Sequence, residues 1–252
     1  MKVARFKNSN GAVRTGIIQD GVVREIEGDL YSDYSLADTV YPLSEIAFLP
    51  PCAPSKIVAV GLNYKDHAAE MQKPLPEEPL IFLKPSTALI GHEDDIIYPD
   101  YMTSRVDFEG ELAVVIGKET KWMNEDDWRE HVFGFTCIND VSARDLQAKD
   151  GQFTRAKGFD TFAPMGPVIE TELDPSALEI KTTLNGEVKQ NSNTSRLIFP
   201  VPRIVSFISR VMTLLPGDVV ATGTPSGVGP MQKGDTVEVK IEGIGVLRNY
   251  VK

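Results

Sequence analysis

The sequence is poor in the cysteine, histidine and cationic residues on which several common protein classes depend. Its 252 residues include two cysteines, Cys52 and Cys137, neither in a Cys-x-x-Cys pair, and three histidines. A disulfide framework, a thiolate metal site and a poly-histidine site are therefore unsupported. Lysine and arginine number 26 against 36 aspartate and glutamate residues, a formal net charge of -10. Because duplex binding depends on basic residues that neutralise phosphates, this balance argues against a nucleic-acid partner.

Long apolar runs are also missing. No stretch of about 18 apolar residues occurs, so the sequence predicts no membrane-spanning helix and no membrane partner. Residues 1–7 alternate charged and apolar side chains as a strand does, and they lack the apolar core of a signal peptide. We therefore expect a cytoplasmic protein.

The familiar nucleotide-binding and hydrolase signatures are absent. There is no Gly-x-x-x-x-Gly-Lys-Ser/Thr loop, no Gly-x-Gly-x-x-Gly turn between a strand and a helix, and no Gly-x-Ser-x-Gly elbow. Cys137 lies inside the apolar run 133–138, which favours a buried structural thiol over a nucleophile. Nucleotide binding and serine-hydrolase chemistry are accordingly disfavoured.

Proline and glycine divide the chain into two unequal parts. Residues 1–50 show short alternating segments separated by turn signals, which is typical of a small β-rich domain. The proline-rich segment 50–54 interrupts this pattern, so we assign residues 51–252 to a second, larger domain. This part lacks a regular βαβα alternation, which predicts a mixed α+β fold that is mostly β. Its strand candidates are 80–83, 111–116, 132–138, 178–184, 218–222 and 236–241, and its helix candidates are 65–72, 124–131 and 201–214.

Two glutamates at a spacing of two open a strongly apolar strand candidate. Strand side chains alternate between faces, so Glu109 and Glu111 should point the same way, with Cα atoms about 6.5–7 Å apart. A third acid, Asp140, follows the next strand candidate. Three oxygen ligands without histidine or cysteine suit Mg²⁺ or Mn²⁺ and leave coordination positions for water and substrate. The alternative is that the Glu-x-Glu pattern is the solvated face of an edge strand.

A histidine and a glutamate stand three residues apart in the helix candidate 65–72. His67 and Glu70 would share a helix face and could hydrogen-bond, so that the glutamate orients the imidazole as a base that activates water. The alternative is an exposed helical pair of little energetic consequence.

Taken together, several motifs of the second part resemble the fumarylacetoacetate hydrolase family. The resemblance covers about four fifths of the chain, and the segment before Pro50 is similar to the small N-terminal domain of shorter members. It implies a mixed β-roll catalytic domain, a homodimer, and Mg²⁺ or Mn²⁺ held by carboxylates that match Glu109, Glu111 and Asp140. The matching segments are 61–64, 82–86, 107–117, 139–145, 157–167, 185–187 and 222–229.

The resemblance also suggests roles for other side chains. His67 and Glu70 match a catalytic pair on a short lid helix, and Lys157 matches a lysine beside the metal. Arg144 and Gln147 are candidate substrate contacts, although Arg144 could instead pair with Asp145 or Glu111.

A glycine-containing turn provides the last group of candidates. Thr222, Gly223 and Thr224 offer backbone N–H groups and hydroxyls for a substrate carboxylate, although without the resemblance they read as a turn after a strand. The segment 91–95 is more acidic and bulkier than the glycine-rich turn usual in the family, which puts the shape of that loop in doubt.

These observations predict a divalent-metal-dependent enzyme that cleaves a C–C bond of a small 2-oxo or 2,4-dioxo acid through an enolate. The reaction would be acylpyruvate hydrolysis or oxaloacetate decarboxylation. One alternative is a 2-hydroxyhepta-2,4-diene-1,7-dioate isomerase or 5-oxopent-3-ene-1,2,5-tricarboxylate decarboxylase. A second alternative, from another class, is a metabolite-binding protein that retains the fold without catalysis.

Overall fold

In the computed structural model, which describes residues 1–252 throughout, the chain forms three β-sheets and a few short helices. The strands are β1 (Lys2–Lys7), β2 (Val13–Gln19), β3 (Val22–Gly28), β4 (Tyr34–Pro42), β5 (Ala47–Phe48), β6 (Ile57–Gly61), β7 (Leu80–Lys84), β8 (Leu89–Ile90), β9 (Asp95–Ile96), β10 (Val106–Phe108), β11 (Gly110–Ile116), β12 (Val132–Asn139), β13 (Ser142–Ala143), β14 (Ala163–Glu170), β15 (Glu179–Leu184), β16 (Glu187–Asn193), β17 (Val219–Ala221), β18 (Gly229–Met231), β19 (Thr236–Ile241) and β20 (Gly245–Val251). The α-helices are α1 (Lys65–Glu70), α2 (Arg144–Asp150), α3 (Thr154–Lys157) and α4 (Val201–Val211), and 3-10 helices cover Leu43–Glu45, Ser86–Ala88, Glu125–Glu130 and Thr194–Arg196. This content confirms the prediction of a mixed, mostly β fold.

The largest sheet joins the N-terminal strands to the rest of the chain. Its main path is β4-β3-β2-β1-β14-β12-β11-β17-β6-β7. The junction is the antiparallel pairing of β1 with β14, in which Lys2 lies opposite Glu170 and Val3 opposite Ile169. Residues on both sides of the proline-rich segment therefore belong to one continuous sheet.

The central strand β11 is buried along its whole length, which explains why its sequence is apolar without alternation. Leu112, Val114 and Ile116 point into a core shared with α4 and the sheet β16-β15-β19-β20-β9. Ala113 and Val115 point to the opposite face, into a second apolar cluster. Strand β11 is thus packed from both sides, and its N-terminal end delivers Glu111 to the interior.

Helix α4 is the longest helix and covers one face of the large sheet. Its buried side chains include Val201, Ile204, Val205 and Ile208, which follow helical spacing. Proline is tolerated in its first turn because those N–H groups have no intrahelical acceptor. The helix ends at Val211, before the predicted position 214, because the next residue is extended. No helix in the structure is long and apolar enough to cross a membrane.

The sequence predicted the strands more accurately than the helices. The six strand candidates of the larger part correspond to β7, β11, β12, β15, β17 and β19. The helix predicted over residues 124–131 is a 3-10 helix over Glu125–Glu130, and the side-chain oxygen of Asn124 at its start accepts no helical N–H. Instead the Asn124 amide donates to Asp127 at 3.3 Å. The short helices α2 and α3 were not predicted.

Candidate metal-dependent active site

One cavity of about 540 Å³ contains most of the side chains singled out from the sequence. Its lining includes His67, Glu109, Glu111, Asp140, Arg144, Gln147, Lys157 and Thr224. Glu70 and Gly223 are outside this lining and contact it through hydrogen bonds to His67 and Glu111, whereas Thr222 is outside it and bonds to Leu112. The fold therefore gathers residues from widely separated parts of the chain around one space.

Strand pairing brings the three acids together. Gly110 lies opposite Asn139 in the antiparallel pair β11 and β12, so Asp140 follows β12 beside the segment that carries Glu109 and Glu111. The backbone N–H of Asp140 donates to the carbonyl of Glu109 at 2.8 Å. One carboxylate oxygen from each acid lies within 4.8 Å of the others, and all three residues are buried. The three acids thus form a compact cluster away from bulk water.

Three cations hold two of these acids. The Lys157 ammonium donates to Glu109 Oε2 at 2.8 Å and to Asp140 Oδ2 at 2.6 Å, so it bridges the two carboxylates. The Lys84 ammonium donates to Asp140 Oδ1 at 2.5 Å. The Arg144 guanidinium pairs with Glu109. Lys84 was missed in the sequence reading, although it lies in the matching segment 82–86.

Arg144 also pairs with an acid that the sequence reading had not considered. Its Nε donates to Asp107 at 2.9 Å, whereas neither Asp145 nor Glu111 is a partner. Gln147 accepts from the same guanidinium at 2.6 Å. Arg144 therefore holds both Asp107 and Glu109, and it also lines the cavity.

The third acid has no cationic partner. Glu111 Oε2 accepts the Gly223 N–H at 2.7 Å and takes part in no ion pair. Burial, together with the charges of Asp140 and Glu109, raises the pKa of Glu111 well above its usual value. Burial also opposes ionisation of Glu109, but Lys157 and Arg144 outweigh it and hold the Glu109 pKa at about 2.

This donor set fits a divalent cation. An unpartnered buried carboxylate requires a proton or a cation, and Glu111 shares its oxygen cluster with Glu109 and Asp140. Carboxylate oxygens without nitrogen or sulfur donors are the ligands preferred by Mg²⁺ and Mn²⁺. The chemistry of the cluster therefore matches the ions expected from the sequence.

A buried glutamine holds the backbone between the two glutamates. The Gly110 N–H donates to Gln190 Oε1 at 3.0 Å, and the Gly110 carbonyl accepts from Thr224 Oγ1 at 2.9 Å. A Cβ on Gly110 would lie 2.1 Å from Thr182 Oγ1 and 3.2 Å from the Val239 methyl groups, so a side chain here would force these neighbours to move. Gln190 is fully buried on β16 and belongs to no recognisable motif, so it could not be identified from the sequence.

His67 and Glu70 form the expected hydrogen bond on helix α1. His67 Nδ1 lies 2.9 Å from Glu70 Oε2, and Glu70 Oε1 accepts the Gly227 N–H at 3.1 Å. Because a carboxylate only accepts, Nδ1 carries the proton of this contact, and in the neutral imidazole Nε2 is then the free acceptor. Asp66 adds a second attachment for α1 by accepting from Ser192 at 2.8 Å. The helix is thus tied to β16 and to the loop after β17.

The turn 222–224 was expected to offer hydrogen-bond donors to a substrate carboxylate, but three of these donors are used within the protein. The Thr222 hydroxyl donates to the Leu112 carbonyl at 2.9 Å, and the Gly223 N–H is taken by Glu111. Thr224 alone among the three lines the cavity. Its hydroxyl donates to Gly110, so that donor too is committed within the protein.

Part of the cavity lining forms an apolar wall. Leu62, Leu80, Phe82 and Phe153 contribute to it, and the two phenylalanine rings meet edge to face at 5.0 Å. The wall borders the charged groups, since Lys157 Nζ lies 5.3 Å from the centre of the Phe82 ring. Lys73 also lines the cavity and takes part in no ion pair. The acidic segment 91–95 is not part of the lining.

The fold and this acidic cluster define an enzyme class, and comparison with known proteins agrees. Residues 56–252 match the family model described as fumarylacetoacetate (FAA) hydrolase C-terminal. Residues 1–51 match a second model, described as Rv2993c-like, N-terminal. The chain belongs to the fumarylacetoacetate hydrolase family, which confirms the resemblance found in the sequence.

Three of the similar proteins are named as a tautomerase or an isomerase. Oxaloacetate tautomerase YisK of Bacillus subtilis is 41% identical over 230 residues, which are 86% of this chain and 76% of that protein. The crystal structure of 5-carboxymethyl-2-hydroxymuconate delta-isomerase from Mycobacterium smegmatis is 47% identical with a TM-score of 0.93, covering 100% of this chain and 99% of that one. The structure of 2-hydroxyhepta-2,4-diene-1,7-dioate isomerase from Mycobacterium marinum is 45% identical with a TM-score of 0.92, covering 100% and 98%.

Proposed function

We propose that the protein is a divalent-metal-dependent enzyme that interconverts the keto and enol forms of a small 2-oxo acid such as oxaloacetate. The observation that carries this proposal is that His67, with Nε2 free, lines the same cavity as Glu109, Glu111 and Asp140. A base and a set of metal ligands are the two elements that enolisation next to a 2-oxo group requires. The names of the relatives, a tautomerase and two isomerases, support this reaction type.

Glu109, Glu111 and Asp140 would hold Mg²⁺ or Mn²⁺. When bound, the ion supplies Lewis-acid stabilisation for negative charge that develops on the oxygens of a 2-oxo acid. The Lys157 ammonium would stabilise the same negative charge. Although burial lowers its tendency to be charged, Asp140 and Glu109 outweigh that effect and raise the Lys157 pKa, so it remains an ammonium.

His67 would move the proton. Its free Nε2 accepts a proton from C3 of the substrate, the electron pair of that C–H bond becomes the C2=C3 bond, and solvent protonates the C2 oxygen. The imidazolium then returns its proton to solvent, so the reaction is balanced. Glu70 keeps the proton on Nδ1 and offsets the positive charge of the imidazolium.

Cleavage of a C–C bond is the second candidate, and the same hydrogen bond favours it. His67 assisted by Glu70 could activate water for attack on C4 of a 2,4-dioxo acid, which would give acylpyruvate hydrolysis. With a C4 carboxylate, loss of CO₂ from oxaloacetate would need no water. Both reactions pass through the enolate that the tautomerase reaction also uses.

Isomerisation of a longer unsaturated dioate is the third candidate, favoured by the cavity itself. A volume of about 540 Å³ with an apolar wall exceeds the needs of a four-carbon acid. Lys73, the cavity-lining cation without an ion-pair partner, could hold a distal carboxylate. We expect Lys73→Met to raise KM for a seven-carbon dioate and leave KM for oxaloacetate unchanged if this candidate is correct.

One assay separates the first two candidates. Protein treated with EDTA and then reloaded with Mg²⁺ or Mn²⁺ is mixed with oxaloacetate, and the enol absorbance and pyruvate release are followed together. Faster enol decay without pyruvate supports the tautomerase, and pyruvate release supports cleavage. Full turnover in the metal-free preparation would refute metal dependence. Metal-dependent oxalate binding without turnover of any substrate would point to the non-catalytic binder.

We also propose, from family membership, that the protein is a homodimer. Sedimentation equilibrium at micromolar concentration tests this, and a monomer would refute it.

A further inference from the structure

A buried asparagine connects the turn after β17 to the segment before α4. Asn63 is fully buried, and its Nδ2 lies 3.1 Å from the Phe199 carbonyl oxygen and 2.7 Å from the Thr222 carbonyl oxygen. Its Oδ1 lies 2.8 Å from the Phe199 backbone nitrogen. Asn63 is not part of the cavity lining, so any effect of this side chain on the site must pass through its neighbours.

These partners fix the orientation of the Asn63 amide. The Phe199 N–H can only donate, and the two carbonyls can only accept. A flipped amide would place donor against donor at the Phe199 N–H and acceptor against acceptor at both carbonyls. Nδ2 therefore donates to the Thr222 carbonyl as well as to the Phe199 carbonyl, and both of its hydrogens are used.

The carbonyl of Thr222 and the N–H of Gly223 belong to the same planar peptide group. That N–H donates to Glu111 Oε2 at 2.7 Å, and it is the only hydrogen-bond donor to this carboxylate. A hydrogen bond accepted at the carbonyl also polarises the peptide group and strengthens its N–H as a donor. Asn63 is thus connected to Glu111 through the two ends of one peptide group.

This peptide group could rotate if its carbonyl were released. Gly223 has a φ of 99° and no Cβ, so its backbone can adopt orientations that other residues disfavour. A rotated peptide would turn the Thr222 carbonyl oxygen toward the Glu111 carboxylate and place two acceptors against each other. The segments are also closely packed, because a Cβ on Gly223 would lie 2.8 Å from the Cβ of Asn63.

We propose that Asn63 is a positioning residue for metal binding, which holds the 222–223 peptide with its N–H toward Glu111 and so orients the one acid of the cluster that has no cationic partner. This deepens the proposed function, on which it rests, by extending the metal site to a side chain outside the cavity. Loss of a group that orients a metal ligand typically weakens metal binding by about 10- to 100-fold.

Two measurements on Asn63→Ala test this proposal. In EDTA-treated protein, the Gly223 N–H should lose its protection against hydrogen exchange, because the peptide group is no longer held at its carbonyl. Isothermal titration should show Mn²⁺ binding that is at least about tenfold weaker than in the wild type. If Asn63→Ala does not fold, Asn63→Asp takes its place in the exchange measurement. Its carboxylate still accepts from Phe199 but cannot donate to Thr222, so the same protection should be lost.

The matched control is Asn249→Ala. Asn249 is also buried, and its Nδ2 donates to the carbonyls of Gly91 and Asp94 at 2.7 Å and 3.0 Å, outside the cavity lining. This variant should lower the free energy of unfolding but change neither the exchange of Gly223 nor the Mn²⁺ dissociation constant.

Retained protection of Gly223, unchanged Mn²⁺ binding in Asn63→Ala, or equal weakening of Mn²⁺ binding in Asn249→Ala would each overturn the proposal. A wild-type protein that binds no Mn²⁺ would refute the metal site itself, and this proposal with it. A wild-type protein and an Asn63→Ala variant that bind Mn²⁺ equally well would refute the role of Asn63 alone.

Discussion

Glu109 and Glu111 are separated by a single glycine, yet the protein shifts the pKa values of their carboxyl groups in opposite directions. Glu109 is paired with Lys157 and Arg144, whereas Glu111 receives one backbone N–H and no cation. Glu109 therefore belongs to an ion-pair network of the folded protein. The charge of the Glu111 carboxylate, in contrast, must be neutralised by a bound cation or by a proton.

The two glutamates should consequently respond differently to the same substitution. In EDTA-treated protein, Glu109→Gln removes a carboxylate from between two buried cations and should lower the free energy of unfolding by about 3 kcal/mol. Glu111→Gln should leave that stability unchanged or higher, because a neutral amide can still accept from Gly223. Both variants should lose Mn²⁺ binding and activity. Urea unfolding and Mn²⁺ titration measure the two quantities, and equal stability losses would contradict this explanation.

Lys157 occupies oxygens that a metal ion would also use. Lys157→Met removes a positive charge that bridges Glu109 and Asp140, so the variant should bind Mn²⁺ more tightly than the wild type while losing activity. Without metal it should be less stable, because two buried carboxylates lose a partner. Lys118→Met, at an exposed lysine paired with Glu130, is the control and should change none of these properties. Weaker metal binding by the Lys157 variant would show that the ammonium organises the ligands instead of competing for them.

His67 should be needed for proton transfer but not for metal binding. His67→Ala should lower kcat by about 10²- to 10⁴-fold and leave the Mn²⁺ dissociation constant unchanged. Glu70→Gln should also lower kcat, because His67 Nδ1–H and the Gly227 N–H contact different carboxylate oxygens, so one of these donors would face the amide NH₂ group. His131→Ala, outside the cavity, is the control. Loss of metal binding in the His67 variant would place the histidine among the ligands.

Asp218, which lies far from the active site, should make the free energy of unfolding depend on pH. Burial opposes its ionisation, but hydrogen bonds from Lys56 and Ser55 outweigh it and lower the Asp218 pKa. A lowered folded-state pKa gives stability that is present above the unfolded-state pKa and lost as pH falls through the folded-state value.

We therefore expect Asp218→Asn to lower the free energy of unfolding by about 2 kcal/mol at neutral pH, and by less as the pH falls toward about 3. Asp100→Asn, in an exposed pair with Lys233, should have little effect at either pH. Urea unfolding across this pH range makes the comparison, and a deficit that grows on acidification would refute the sign of the effect.

The sequence predicted those parts of the molecule whose signals are local. The strands β11 and β12 are long apolar runs, and the acids at their ends were recognisable from spacing and family resemblance. The junction of β1 with β14 was not predictable, because Lys2 and Glu170 pair across most of the chain. Nothing in the proline-rich boundary indicated that the strands on either side would share a sheet.

The side chains that surround the three acids could not be predicted from the sequence either. Helices α2 and α3 span seven and four residues, too short for a periodic pattern, so the placement of Arg144 and Lys157 depended on resemblance alone. The partners of Arg144 were wrong because Asp107 approaches it across β10 and β13, not along the helix. Gln190 acts through side-chain hydrogen bonds to a distant strand, and such contacts leave no local pattern.

The crowding at Gly110 restricts which residues can occupy the position between the two glutamates. Its N–H and its carbonyl are both hydrogen-bonded, and a Cβ at this position would press on the Thr182 and Val239 side chains. A side chain here would therefore force the neighbouring strands to move next to Glu109 and Glu111, whereas the apolar wall of the cavity is not constrained in this way. In a library with every codon at position 110, selection for activity should return glycine alone.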